Sequence, residues 1–78
     1  MANPEKLRSE FERCRAACRR ISNLRQGFRA DGSIPDRGPR RMRPARKARL
    51  ARAAQAAAYA LLNAEEALAR AMRSEDAR

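Results

Sequence analysis

The sequence contains no histidine and no tryptophan. The side chain most used for general acid–base catalysis and for binding zinc is therefore missing. Aromatic residues are scarce: Phe11, Phe28 and Tyr59 only. That is too few for a sheet on which successive bases stack, so recognition of the RRM or OB kind is excluded. The two cysteines, Cys14 and Cys18, stand four apart, which is not a disulfide framework. A four-thiolate zinc site would need a second copy to supply its other half, so both are expected as reduced thiols in the core. There is no glycine-rich phosphate loop, and the adjacent acids Glu65 and Glu66 are expected to balance Arg8 or Arg70 on a helix. No catalytic residue, metal or cofactor is assigned, and the chain is read as a non-enzyme.

Long apolar runs are also lacking. Nothing approaches the ~18 consecutive apolar residues of a membrane span, and the start, MANPEKLRSE, carries charges where a signal peptide needs an apolar segment. Membrane-surface binding would call for more large apolar residues than the sequence offers. A cytoplasmic protein is expected. Arginine far outnumbers lysine and alanine is abundant, a bias that points to a GC-rich bacterial genome.

Acid is in short supply as well: nine Asp and Glu stand against nineteen Lys and Arg, a formal charge of +10. Such a chain repels itself and attracts polyanions. The excess is localised. From Arg13 to Arg52 there are fourteen basic residues and two acids, whereas the rest of the chain has five basic residues and seven acids.

What is present is two matched stripes. Leu50, Ala54, Ala57, Leu61, Ala64, Leu68 and Ala71 recur in steps of four and three, the signature of one seam on an α-helix. Pro44 is followed by neither Gly nor Pro, and alanine is the best helix former. Leu7, Phe11, Cys14, Cys18, Ile21, Arg25 and Phe28 show the same alternation. Folding the chain back about Gly38 and Pro39 sets Phe28 against Leu50, Ile21 against Ala57, Cys18 against Leu61, Cys14 against Ala64 and Phe11 against Leu68. With Arg25 against Ala54 and Leu7 against Ala71 in the same register, a larger residue faces alanine in four of the seven pairs, which lets the helix axes approach.

The expected fold is all-α: a single antiparallel, coiled-coil-like helical hairpin over residues 1–78. Helix one is expected at about 4–30, capped by Asn3 with Pro4 and Glu5 in its first turn and ended by Asp31-Gly32. A basic Pro/Gly loop follows at about 31–43, with Ile34 expected to plug the end of the helix pair. Helix two is expected at about 44–73, then a frayed tail at 74–78. Arg25, on the seam near the open end, is expected to bury its stem and expose its head.

A chain this small is commonly marginal alone. Tyr59 and Leu62 lie outside the seam on adjacent turns, with Ala51, Ala53, Ala58, Ala60 and Ala67 around them. They form a candidate protein interface, and a homodimer completing a four-helix bundle, or a subunit docked on a larger complex, is expected.

The densest basic run is Arg37, Arg40, Arg41, Arg43, Arg46, Lys47, Arg49 and Arg52, with no acid between Arg37 and Asn63. Guanidinium forks grip phosphates in pairs of hydrogen bonds. Helix dipoles do not account for the run, because cations at a helix start oppose the dipole. Arg15, Arg19 and Arg29 are expected to line up beside it. The function expected is nucleic-acid binding, DNA or RNA, or a nucleoprotein-accessory role. The alternative is a protein-interaction module, a small inhibitor, adaptor or subunit, docking by its basic end or by the Tyr59 and Leu62 face.

Overall fold

A computed structural model describes residues 3–76 and contains two α-helices, α1 (Pro4–Arg25) and α2 (Pro44–Asp76), joined by residues 26–43. The helices pack on one another in an elongated body of 55 × 23 × 14 Å. Neither is long and apolar enough to cross a membrane.

Local chemistry sets the start of α1. The Asn3 side-chain oxygen accepts the Glu5 N–H at 3.0 Å, Pro4 occupies the first turn, and Glu5 faces the positive end of the helix dipole. The helix ends earlier than the expected Ala30. Gln26 is the cap, and Gly27 takes the left-handed conformation at φ +85°. The Gly27 N–H donates to Leu24 O and the Phe28 N–H to Asn23 O, both at 3.0 Å. That pair of bonds is a Schellman closure, which satisfies carbonyls the last turn would otherwise leave free. Gly27 therefore stops α1, and Asp31-Gly32, expected to end it, belongs to the connection.

At its other end, α2 opens at Pro44, where proline costs no hydrogen bond. The Arg43 carbonyl accepts the Lys47 N–H at 3.1 Å, and no acid lies in the first turn. The helix continues through Asp76, past the expected end near Ser74. No Gly or Pro interrupts that stretch. Arg78 and Ala77, from the expected tail, lie outside the described residues.

The seam is where the spacing puts it. All seven stripe residues of α2 are half-buried, and only Ala67 among the remaining characterised residues of that helix is also shielded. On α1, Leu7, Phe11, Cys14, Cys18 and Ile21 are half-buried. Cys14 shares an open groove with Ala60 and Ala64 of α2, and Cys18 shares another with Ala54 and Ala58, which fixes an antiparallel pairing. Arg25 is exposed as a whole and borders Met42, Lys47 and Leu50 at a small cleft. Both cysteines are free thiols, as expected, but half-buried rather than enclosed in a core.

Two helices can shield one face each and no more. Among the characterised residues no side chain is fully buried, while Ile34, Tyr59, Leu62 and Met72 are 59%, 61%, 59% and 44% exposed.

Candidate nucleic-acid interface

The connection between the helices is held by its backbone. Arg29 to Gly32 forms one turn: the Gly32 N–H donates to Arg29 O and the Arg29 N–H to Ser33 O, both at 2.9 Å. The Asn23 amide reaches from α1 to Ala30 O at 3.0 Å. Asp31 closes an Asx turn, its carboxylate accepting the Ser33 N–H at 2.9 Å and the Ser33 hydroxyl at 2.7 Å. Those bonds, reinforced by the charge of Arg29, hold the Asp31 carboxyl below its ordinary value. Pro35 to Gly38 forms a second turn, with the Gly38 N–H donating to Pro35 O at 2.8 Å. The Arg40 N–H then donates to Gly27 O at 2.8 Å. The chain between Arg37 and Arg43 thus lies across the end of α1, beside the first turns of α2.

Ile34 takes no part in this. It is mostly exposed, not a plug; the half-buried residues of the connection are Phe28, Pro35, Gly38 and Met42, with Gly27 fully buried. Of the residues that shape the bend, Asp31 is expected from sequence as part of the helix stop, whereas nothing in the spacing marks Asn23 or Ser33. The available signal was Gly27 itself, followed by an apolar Phe28 in the arrangement of a glycine-closed helix end.

The basic residues distribute as follows. Arg37, Arg40, Arg41 and Arg43 lie in the connection, and Arg46, Lys47, Arg49 and Arg52 on the first turns of α2; all are exposed. At about 100° per residue, the last four fan over more than half of the helix circumference rather than forming one stripe. The positive charge therefore caps an end of the hairpin. Arg29 sits in its turn, outside α1, so it cannot continue a helical row with Arg15 and Arg19. Arg19 is exposed on α1. Arg15 stands apart: its guanidinium lies 3.7 Å from Glu12 and 5.9 Å from the centre of the Phe11 ring.

Among the described residues the ion pairs are Arg15–Glu12 and Arg70–Glu66, the second at 3.6 Å. Neither touches the bend. The basic end is thus solvent-facing and uncompensated by carboxylate contacts within the described chain. Two of its cations, Arg46 and Lys47, sit in the first turn of α2, where each opposes the dipole by about 0.3–1 kcal/mol.

No family model, curated protein or solved structure matches this chain.

Proposed function

We propose that the basic end of the hairpin is a polyanion grip and that the protein binds nucleic acid through backbone phosphates, alone or as an accessory in a nucleoprotein complex. The observation that carries the reading is the exposed run from Arg37 to Arg52, without carboxylate partners among the described residues and pinned at Arg40 to the end of α1. Guanidinium groups fanned around a helix start suit phosphates approaching from several directions. With three aromatic residues in the chain, none of them in this run, the grip reads charge and shape rather than base identity.

The test is affinity for short DNA and RNA oligonucleotides across a salt series. Binding through phosphates gives a linear fall of log affinity with log salt, with a slope of about −0.9 per phosphate neutralised on B-DNA and about −0.7 on single strands. Replacing Arg40, Arg41 and Arg43 together with alanine lowers affinity and flattens that slope. Unchanged affinity in the triple variant removes the proposal.

A second reading keeps the same surface and changes the partner: the basic end docks on an acidic protein surface. Its support is the same uncompensated charge, which raises association rates with any anionic face. Pull-downs with and without nuclease separate the two, since a partner retained after nuclease treatment favours the protein and one lost favours nucleic acid.

A further inference from the structure

Helix α2 carries a second row besides the buried seam. Ala48, Ala51, Gln55, Ala58, Leu62, Glu65, Ala69 and Met72 recur in steps of three, four, three, four, three, four and three. Every one of them is exposed. At about 100° per residue, the row lies about 110° around the helix from the seam against α1. A helix with two such faces belongs in a bundle, where each helix has two neighbours. The basic cap respects the row: on the first turns of α2, Arg46, Lys47, Arg49 and Arg52 leave open the arc that Ala48 and Ala51 occupy.

The spacing of the row, though not its residues, is the same in both directions, which matters for what can cover it. Set against a reversed copy of itself, Ala48 meets Met72, Ala51 meets Ala69, Gln55 meets Glu65 and Ala58 meets Leu62. The large apolar residues each meet alanine, two alanines allow close approach at an intermediate layer, and an amide faces a carboxylate that can accept its N–H. The flanking positions agree. Arg52 of one copy falls beside Glu66 of the other, twice by symmetry, and the two Tyr59 side chains meet at the axis. Glu66 now lies 3.6 Å from Arg70 of its own helix, with both side chains exposed, so it is free to engage a second cation.

We propose that this face of α2 docks on α2 of a second copy, antiparallel, to give a twofold-symmetric four-helix dimer. The row is self-complementary in size and its flank in charge, and the hairpin by itself buries no side chain fully among the characterised residues. A symmetric contact of this kind closes on itself and does not propagate into fibres. Arg52 is drawn into the interface, while the basic residues from Arg37 to Arg49, in the connection and the first turns of α2, stay outside it. At 1.5 Å per residue, the starts of the two α2 helices lie about 50 Å apart, so the dimer presents one basic cap at each end.

The experiment combines sedimentation equilibrium with distance measurement on the full chain. The wild type shows a reversible monomer–dimer equilibrium in the micromolar range, without nucleic acid. Leu62→Glu weakens it by about 30-fold or more, the effect of losing an interface hot spot. Arg52→Glu and Glu66→Arg each weaken it, and the double exchange restores it, which a folding defect would not do. Nitroxides at Ser74→Cys, in a Cys14→Ala, Cys18→Ala background, are about 40 Å apart in an antiparallel dimer and under roughly 20 Å in a parallel one. A chain that stays monomeric, a dimer indifferent to Leu62→Glu, a double exchange without rescue, or the short nitroxide distance each overturns the proposal. So does a different protein that captures wild type but not Leu62→Glu while the purified chain remains monomeric.

Discussion

The amide of Arg40 donates to the carbonyl of Gly27 at 2.8 Å, tying the start of the basic run to the glycine that closes α1. A side chain at Gly27 would destroy that approach, because an added Cβ would fall 2.6 Å from Arg40 O and 2.7 Å from Arg40 N. Gly38 offers a matched comparison. Its φ of +87° is close to the +85° of Gly27, yet nothing lies within 4 Å of its added Cβ. Alanine at either position costs about 1–2 kcal/mol for the left-handed conformation. Gly27→Ala is expected to cost measurably more than Gly38→Ala in thermal unfolding followed by circular dichroism, and to expose the Arg40 amide to hydrogen exchange. Equal costs for the two would mean that the contact contributes nothing.

The turn that follows carries a pH dependence of known sign. Hydrogen bonds from Ser33, with the charge of Arg29, hold the Asp31 carboxyl below the ordinary 3.8. A group whose folded value is depressed adds stability above its unfolded value and loses that contribution as pH falls through the folded one. The turn is therefore expected to be intact from neutral pH down to about pH 4 and to loosen below it. An NMR titration should show the Ser33 amide moving with the Asp31 carboxyl, at a midpoint lower than in an unfolded peptide. Asp31→Asn should remove the transition; a midpoint at or above the peptide value would refute the account.

Much of this molecule is legible from spacing alone. The alternation that begins at Leu50 identifies the shielded face of α2 down to Ala71, because a helix repeats every 3.6 residues and a buried row must follow that period. The antiparallel pairing of Cys14 near Ala64 follows from matching two rows of equal length. The failures have a shared cause. Gly27 as an interior glycine and Gly27 as a helix stop look alike by propensity, and the backbone bonds from Gly27 and Phe28 decide between them. Hydrophobicity alone makes Ile34 a plug, whereas the bend is shaped by turn hydrogen bonds around Asp31 and Ser33. In the site, the clustering of charge was readable from counts; its fan around the helix start, and the pairing that sets Arg15 apart, needed coordinates.

Crowded cations make stability depend on salt in a definite direction. The bend and the start of α2 hold many like charges, and the described ion pairs lie elsewhere. Added salt screens exposed charges over a Debye length that falls from about 30 Å at 0.01 M to about 3 Å at 1 M. The melting temperature of the unliganded protein is expected to rise with sodium chloride, opposite to the trend for a fold held by surface ion pairs. Melting curves across a chloride series at neutral pH check this, and a falling trend would show that the net repulsion inferred at the bend is not there.

Single substitutions should separate the arginines that grip from those that support. Arg15 is engaged with Glu12 at 3.7 Å and lies over the Phe11 ring, on α1 about 15 Å along the axis from the helix end. Arg40 and Arg41 are exposed in the connection and have no carboxylate within ion-pair distance among the described residues. If phosphates bind at the bend, Arg40→Ala or Arg41→Ala lowers affinity and reduces the magnitude of the salt slope by about one contact, 0.7–0.9. Arg15→Ala leaves that slope alone and acts instead on stability, by less than about 1 kcal/mol for an exposed pair. Oligonucleotide titrations at several salt concentrations, read beside thermal melts of the same variants, make the comparison. An Arg15→Ala slope change as large as that of Arg40→Ala would mean that the anion runs along α1, and the grip would have to be moved from the end of the hairpin to its side.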